Sequence, residues 1–305
     1  MNVLIVGLGS IAQKHIKAIW LLFPEAIIYA LRSVKDATDI NNVINIYNFQ
    51  EMPVTPDFII ISNPTSLHAA TIVKCAELAV PIMIEKPLSH TLDNLTSALK
   101  VIKERKIPTY VACNMRFHPG ILFLKEHLKG KIINEVNIYC GSYLPDWRPT
   151  LNFRELYSAS SEMGGGVHLD LIHEIDYCIW LFGKPDEIHT IKRNVSHLEI
   201  NAIDYSFYNF NYPTFVSNIT LNYYRKDARR TVEVVMENET WNLDLLNCKI
   251  ASDDGTVLFS KQHFDIFDTY YEQMKYFTEH IKRKQEMMNN IDEAFDVLKI
   301  CLTNE

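Results

Sequence analysis

A chain of 305 residues, with 48% hydrophobic and 22% charged residues, is long enough for two domains, or one large one, with a substantial core. This composition excludes an intrinsically disordered protein, because it supplies enough apolar surface to bury. The net charge of −7 and the lack of a basic stripe argue against a nucleic-acid partner and against an acidic membrane surface.

Cysteine usage and the N-terminal sequence bear on the cellular compartment. The six cysteines lie within apolar stretches and show no CxxC spacing, so we expect reduced, mostly buried thiols. The chain enters the apolar run Val3–Val6 without a positively charged leader, and no stretch is long enough to span a bilayer. These features predict a cytoplasmic protein with no membrane contact.

The first 114 residues alternate short apolar runs with amphipathic segments, which predicts a parallel sheet covered by helices on both faces. The expected elements, in chain order, are strand Val3–Val6, helix Ile11–Phe23, strand Ala26–Leu31, strand Phe58–Ser62, helix Leu67–Leu78, strand Pro81–Ile84, helix Leu92–Arg105 and strand Thr109–Cys113.

After Asn114 the pattern changes to successive strands, which predicts an antiparallel sheet. We therefore expect an α/β protein with one domain at residues 1–117 and a second at residues 118–305. The expected elements of the second are helix Ile121–Leu128, strand Ile132–Tyr143, helix Val167–Phe182, strands Tyr205–Phe210, Ser217–Tyr224, Thr231–Met236 and Trp241–Leu246, and helices Phe267–Arg283 and Asp292–Leu302.

The hexapeptide from Gly7 to Ala12 follows a strand and opens a helix, which is the context of a dinucleotide-binding turn. Gly7 permits the tight turn, Gly9 lets a pyrophosphate approach the backbone, and Ala12 allows close packing of helix on strand. The backbone N–H groups at Ser10 and Ile11 begin the helix, where its dipole favours phosphate.

The end of the second strand indicates which dinucleotide binds. An NAD site favours an acidic residue there, but the chain has Arg32 and Ser33 and no acid before Asp36. An arginine and a hydroxyl suit a 2′-phosphate, so we expect NADP in preference to NAD. The alternative is that Arg32 is a solvated loop residue.

Several motifs together resemble the Gfo/Idh/MocA oxidoreductase family. They are Gly7-x-Gly9-x-x-Ala12 with His15, the segment Asn63–His68, Glu85-Lys86-Pro87, and Gly164-Gly165-Gly166 followed by Asp170, His173 and Asp176. The resemblance implies an N-terminal Rossmann doubly wound parallel sheet and a C-terminal α+β domain with an open antiparallel sheet. It also implies activity on sugars, cyclitols or nucleotide-linked sugars.

The resemblance assigns Lys86 as the active-site lysine, whose ammonium can stabilise a developing alkoxide. It also places Asn63, Pro64, His68 and Glu85 beside the cofactor. The alternatives are that Lys86 is an ordinary surface lysine and that His68 is structural.

On one continuous helix from Val167 to Phe182, Asp170, His173 and Tyr177 share a face, whereas His168 lies opposite. This pattern favours His173 as general acid/base, with Asp170 orienting it or accepting a substrate hydroxyl, and Tyr177 toward substrate. The spacing from Asp170 to His173 is three residues, where many family members have four. The alternative is a hydrogen-bonded core histidine, and no metal is expected.

The loop around Trp147 and Arg148 resembles a family subgroup from surface-polysaccharide or nonulosonate sugar pathways. Trp147 can stack on a sugar face and Arg148 can hold a carboxylate or phosphate, or the loop can simply pack on its own domain. Arg116 lies in a segment that resembles the family's domain-crossing segment, so we expect it to reach substrate.

Taken together, these residues predict an NAD(P)-dependent dehydrogenase or reductase acting on a sugar or nucleotide-sugar hydroxyl/carbonyl pair. The alternatives are a glycoside hydrolase with tightly held NAD and a non-catalytic dinucleotide sensor. By resemblance, the open sheet forms a homodimer or homotetramer.

Overall fold

A computed structural model of the chain describes residues 1–34 and 39–303. The chain folds into two compact units. The first comprises Met1–Asn114 and Phe267–Leu298, and the second comprises Met115–Ile266 and the residues from Lys299 onward.

Within the described residues, the first unit contains strands β1 Asn2–Val6, β2 Ile27–Leu31, β3 Val43–Ile46, β4 Phe58–Ile61, β5 Ile82–Glu85 and β6 Thr109–Ala112. The second unit contains β7 Ile133–Tyr143, β8 Glu187–Arg193, β9 Tyr205–Asn211, β10 Val216–Asn222, β11 Tyr224–Met236, β12 Thr240–Asp244, β13 Lys249–Ser252 and β14 Val257–Ser260. The α-helices of the described chain are α1 Ser10–Leu22, α2 His68–Cys75, α3 Leu95–Arg105, α4 Pro119–His127, α5 Val167–Asp170, α6 His173–Phe182, α7 Phe267–Arg283 and α8 Ile291–Leu302.

The sheet of the first unit is parallel, with strand order β3-β2-β1-β4-β5-β6. Its central strands are continuous apolar runs; every residue of Phe58–Ile61 is buried, as expected for a sheet covered on both faces. The order reverses between β1 and β4, so the carboxyl ends of these strands border a ligand-binding crevice. The predicted Rossmann doubly wound sheet is confirmed.

The sheet of the second unit has the order β14-β13-β12-β11-β7-β10-β9-β8. Alternating burial along Tyr205–Asn211 shows that one face of this sheet packs inward. The sheet is mostly antiparallel, as predicted, but β7 and β10 pair in parallel. The long connection between them, through α5, α6, β8 and β9, allows β10 to run in the same direction as β7.

The helix predicted from Val167 to Phe182 is interrupted. α5 ends at Asp170 and α6 begins at His173, because Leu171 leaves the helical region with φ −103° and ψ 30°. Asp170 therefore lies on a different helix from His173 and Tyr177, which remain one turn apart on α6.

Helix α7 belongs to the first unit, whereas the sequence placed every residue after 117 in the second domain. Packing explains the difference. Phe277 of α7 stands edge-on to Phe58 of β4, with 5.3 Å between ring centroids, and Tyr110 of β6 donates to Gln273 at 3.2 Å. α7 therefore covers one face of the parallel sheet.

The short strand β3 was not predicted. It has only four residues, Val43–Ile46, lies at the edge of the sheet, and contains the polar Asn45. Local apolar pattern is weak in such a segment, and its pairing with β2 provides the strand.

No helix in the described part of the chain is long and apolar enough to span a membrane. The six cysteines all fall within that part; they are buried, and no disulfide links them.

Candidate functional site

The turn after β1 requires glycine at position 7. Gly7 has φ +88°, and a Cβ there would lie 2.7 Å from both the α-carbon and the backbone nitrogen of Asn63. Its N–H donates to the Leu31 carbonyl at 3.0 Å. The turn is therefore locked between the ends of β2 and β4.

Gly9 has the opposite environment. A Cβ on Gly9 would meet nothing within 4 Å, so the missing side chain leaves open space above the backbone. Gly9 is the N-cap of α1, and no side chain of the described chain caps this helix. Ser10 and Ile11 then present backbone N–H groups at the helix start, while Ala12 is fully buried beneath. An open cradle beside uncapped N–H groups fits a pyrophosphate.

His68 bridges the segments that follow β4 and β5. Its ring nitrogens contact the Asn63 carbonyl at 2.9 Å and the Pro87 carbonyl at 3.0 Å. Burial lowers the pKa of His68, although these carbonyls act in the opposite direction. Because both nitrogens are engaged and the ring is buried, we expect His68 to position the loops rather than to touch cofactor. Asn63 donates to Thr71 at 2.8 Å.

Pro64 follows Asn63 at the carboxyl end of β4 and is exposed. It lies on the side of the sheet where the glycine turn also ends, because Asn63 and Gly7 are in contact. Both residues therefore border the crevice in which the sequence placed them.

Glu85 is the last residue of β5 and is 6% exposed. One of its oxygens lies 2.5 Å from Nε2 of the fully buried His15 on α1, and the other accepts from the Lys86 N–H at 3.2 Å. Both oxygens are thus used inside the protein, so Glu85 links the phosphate-binding helix to the backbone of Lys86. Lys86 itself is half-buried, and the Lys86–Pro87 bond is cis.

Arg32 follows β2, as expected, but its side chain is only 7% exposed. Its Nη1 lies 3.4 Å from Asp39 and 3.5 Å from Asn45. Ser33 is exposed beside it, and Asp36 lies outside the described residues. The guanidinium therefore already has an acidic neighbour within this end of the sheet.

In the second unit, Asp170 is 5% exposed and lies between two tyrosines. The Tyr157 hydroxyl donates to Oδ1 at 2.9 Å, and the Tyr223 hydroxyl donates to Oδ2 at 2.5 Å. Burial, and secondarily the Asp170 charge, raise the pKa of both tyrosines. His173 begins α6 and is 7% exposed.

The triple glycine makes this arrangement possible. A Cβ on Gly165 would lie 2.0 Å from the Tyr157 carbonyl oxygen, so only glycine can pack there. Gly166 has φ +128°, and a Cβ would lie 2.7 Å from the His168 ring. The glycine run therefore lets the backbone at Tyr157 pack against the start of α5, the helix that carries Asp170.

Two residues expected to touch substrate lie in the interior instead. Arg116 is 2% exposed and forms a bidentate pair with Asp176, at 2.9 and 2.7 Å. Tyr177 is fully buried. The substrate contact expected of Arg116 by resemblance, and of Tyr177 by its helical position, stays a prediction.

The loop that follows β7 does expose the residues expected of it. Trp147 is 38% exposed and meets the Tyr223 ring edge-to-face, with 5.3 Å between centroids. Its indole N–H donates to Ser142 at 2.8 Å, and Arg148 is exposed. Trp147 therefore lies next to the tyrosine that holds Asp170.

Comparison with known proteins supports a dinucleotide-binding fold for the N-terminal part of the chain. Residues 1–112 match the family model described as an oxidoreductase family with an NAD-binding Rossmann fold, Gfo/Idh/MocA. This stretch contains Gly7, Asn63 and Lys86, so the match confirms the resemblance seen in the motifs of this part of the chain.

Two curated relatives each match less than half of the chain. The 2,7-anhydro-N-acetylneuraminate hydratase of Mediterraneibacter gnavus is 27% identical over 46% of this chain and 37% of its own. Levoglucosan dehydrogenase of Pseudarthrobacter phenanthrenivorans is 27% identical over 43% of this chain and 34% of its own. The alignments thus span little more than a third of these relatives.

Solved structures extend the likeness in fold to the second unit. A levoglucosan dehydrogenase in complex with NADH and levoglucosan superposes with a TM-score of 0.83 at 15% identity, covering 99% of this chain and 95% of that one. At this identity the match establishes the fold alone.

Sequence reasoning missed mainly Tyr223 and the role of Tyr157 beside Asp170. The sequence pattern placed Tyr223 within the predicted strand Ser217–Tyr224 and singled out neither tyrosine. No spacing rule connects positions 157, 170 and 223, so only the fold brings them together.

Proposed function

We propose that this chain is an NAD(P)-dependent oxidoreductase that transfers a hydride between the nicotinamide and a carbon bearing a sugar hydroxyl or carbonyl. The observation that carries the proposal lies within the first unit. The open cradle at Gly9 and Lys86 border the carboxyl edge of one parallel sheet, and Glu85 and His15 tie them together.

The chain's own residues fit a dinucleotide. The N–H groups at Ser10 and Ile11 would hold the pyrophosphate, and Asn63 and Pro64 border the adjacent part of the crevice. When bound, the nicotinamide supplies or accepts the hydride.

Lys86 stabilises the alkoxide that forms when a hydroxyl is oxidised, because its ammonium can donate to the reacting oxygen. His173 accepts the hydroxyl proton as general base and returns it in the reverse direction. Asp170 is held by hydrogen bonds from Tyr157 and Tyr223. Its carboxylate accepts a further hydrogen bond from a substrate hydroxyl.

The names of the relatives support a sugar substrate. One curated relative is named for an anhydro-N-acetylneuraminate and another for levoglucosan. The exposed indole of Trp147 suits stacking on a sugar ring, and the exposed guanidinium of Arg148 suits a carboxylate or phosphate on it.

The test is a substrate panel of monosaccharides, cyclitols, anhydrosugars and nucleotide sugars with NAD⁺ and NADP⁺, followed by nicotinamide absorbance. We expect oxidation of at least one sugar and loss of that turnover in His173→Ala. Sugar cleavage with no net change in nicotinamide, and with cofactor retained through purification, would indicate the glycoside hydrolase alternative. Dinucleotide binding with no chemistry on the panel would indicate a sensor.

For the cofactor, we propose NADP in preference to NAD. Arg32 and Ser33 lie at the end of β2, where a 2′-phosphate would bind, and a phosphate can replace Asp39 as the partner of Arg32. We expect Arg32→Ala to weaken NADPH about tenfold more than NADH. Equal weakening of both would overturn the preference.

We also propose a homodimer or homotetramer formed through the open sheet of the second unit. Ile191 and Val216 of its strands are exposed apolar residues, 47% and 37% accessible. Sedimentation equilibrium should give a species of two or four chains, and Ile191→Lys should shift it toward the monomer. A monomeric wild type would refute the proposal.

A cytoplasmic location is proposed from the six buried cysteines that no disulfide links, because such thiols suit a reducing compartment. Cell fractionation tests it, and recovery from a secreted fraction would contradict it.

A further inference from the structure

Tyr157 is a partly exposed residue whose hydroxyl proton is already used in a hydrogen bond. The residue is 43% exposed, yet its hydroxyl donates to Asp170 Oδ1 at 2.9 Å. A phenol carries one proton and can also accept through its oxygen. Once that proton points at Asp170, the oxygen of Tyr157 can only accept a hydrogen bond from anything outside.

The partner of Tyr157 is held in place from its other side. Asp170 is 5% exposed, and the fully buried Tyr223 donates to its second oxygen at 2.5 Å. The carboxylate is therefore anchored, and turning it away from Tyr157 would break a buried hydrogen bond to a charged group.

The proton of Tyr157 also stays on the phenol. Burial, followed by the charge of Asp170, raises the pKa of Tyr157, and the opposing effects of the Ser158 hydroxyl and the Arg148 guanidinium are weaker. The neutral, donating form toward Asp170 therefore persists across the physiological pH range.

The backbone of Tyr157 is held in place. The Tyr157 carbonyl packs on Gly165, where even a methyl group would lie 2.0 Å away, and the Ser160 N–H donates to that same carbonyl at 2.9 Å. Nearby, Trp147 is exposed, but its indole N–H is used by Ser142. Both partly exposed aromatic residues therefore have their own hydrogen-bond donors already engaged.

We propose that Tyr157 is a specificity-determining residue whose hydroxyl oxygen accepts a hydrogen bond from one hydroxyl group of the sugar substrate. The inference rests on the proposed function and deepens it. It predicts that the site selects a hydroxyl at one ring position and rejects analogues that have hydrogen, an ether or a carbonyl there, because none of these can donate.

The experiment measures sugar affinity in the protein saturated with NADPH, or with NADH if that binds more tightly, because the reduced cofactor cannot oxidise a sugar hydroxyl. Levoglucosan is the starting probe; if the panel above selects another sugar, that sugar replaces it. Each probe is compared with its mono-deoxy and mono-O-methyl derivatives. In the wild type we expect one position at which both changes weaken binding about tenfold.

Two variants then test whether the Tyr157 hydroxyl accepts a hydrogen bond from the sugar or donates one to it. In Tyr157→Phe the tenfold penalty at that position should shrink to about twofold or less. In Asp170→Asn the new amide can donate to the Tyr157 oxygen, so the Tyr157 O–H becomes free to donate to the substrate. An O-methyl group can accept that hydrogen bond and a deoxy position cannot. The O-methyl penalty should therefore shrink while the deoxy penalty remains. Tyr271→Phe, a half-buried tyrosine of α7 in the first unit, is the matched control and should keep both penalties.

If Tyr157→Phe keeps both penalties while the wild type oxidises the sugar, the inference falls and the proposed function stands. If the wild type binds NADH but neither binds nor oxidises any sugar of the panel, both fall. A double-mutant cycle on unfolding free energy needs no substrate: Tyr157→Phe and Asp170→Asn should be coupled, and strict additivity would overturn the inference.

Discussion

In the first unit the candidate cofactor site is made mostly of backbone groups, whereas in the second unit the candidate substrate region is made of side chains. Gly7 and Gly9 shape the first through the absence of Cβ atoms, and the N–H groups of α1 supply its charge. Asp170, Tyr157 and Tyr223 form the second through two hydrogen bonds. A backbone site recognises a group common to many ligands, such as phosphate, while a side-chain site can be altered one hydroxyl at a time.

The largest effect should come from removing the one cationic side chain of the first unit that we assign to chemistry. Lys86→Met should lower kcat by about a thousandfold, because the alkoxide loses its donor, while the NADH Kd changes less than about twofold. Stopped-flow turnover measures kcat, and a fluorescence titration measures the NADH Kd. Lys100→Met, at an exposed position of α3, is the control and should change neither kcat nor Kd. Full turnover in Lys86→Met would remove the assignment.

Next in size is a stability effect that distinguishes structural from substrate-binding side chains in the second unit. Arg116→Met should reduce the free energy of unfolding by about 3–5 kcal/mol, because it leaves the Asp176 carboxylate, 1% exposed, unpaired in the interior. Urea denaturation measures this. Arg283→Met, in an exposed pair with Glu279, should cost under about 1 kcal/mol. A stable Arg116→Met with weakened sugar binding would instead restore the substrate role first expected of it.

One substitution made at two glycines sharpens the contrast within the backbone site. Gly7→Ala should destabilise the fold by about 2 kcal/mol, since φ is +88° and Cβ would approach Asn63 to 2.7 Å. Gly9→Ala should unfold like the wild type, because its Cβ meets no atom of the chain, yet weaken NADH about tenfold. Thermal unfolding and NADH titration are run on both. Unchanged NADH binding in Gly9→Ala would place the pyrophosphate elsewhere.

The smallest effect is a pH dependence in the second unit. Burial lowers the pKa of His118 to about 4, and its ring accepts from the Gly120 N–H while contacting the Leu245 carbonyl, which suits the neutral form. Because the unfolded pKa is 6.5, the stabilising contribution is complete above pH 6.5 and is lost as the pH falls toward 4. Between pH 7 and 5 this amounts to about 1–2 kcal/mol.

Urea denaturation at both pH values measures that loss. The difference between pH 7 and pH 5 should shrink in His118→Gln and persist in His197→Gln, which changes a histidine outside the core. An unchanged difference in His118→Gln would assign the pH dependence to other groups.

The two regions also differ in how far the sequence could predict them. The Gly7–Ala12 turn, the parallel sheet and the place of Lys86 follow from local pattern, because strand, turn and helix are neighbours along the chain. The break between Asp170 and His173 does not, since both flanking segments are apolar and helical in pattern. Tyr157 and Tyr223 meet Asp170 only through contacts distant in sequence.

Arg116 shows the same limit in another way. Its type and position suited a substrate contact, but the buried Asp176, sixty positions later, binds its guanidinium through both carboxylate oxygens. A charged residue near a predicted site can serve either role, and its burial decides between them. Burial of a single side chain is a property of the whole fold.

The most direct measurement of dinucleotide function is a titration of the purified chain with NADH and NADPH, followed by protein fluorescence and repeated with Gly9→Val. We expect saturable binding of at least one dinucleotide by the wild type and loss of that binding in a variant that still folds. If neither dinucleotide binds, and none is carried through purification, the oxidoreductase function is contradicted.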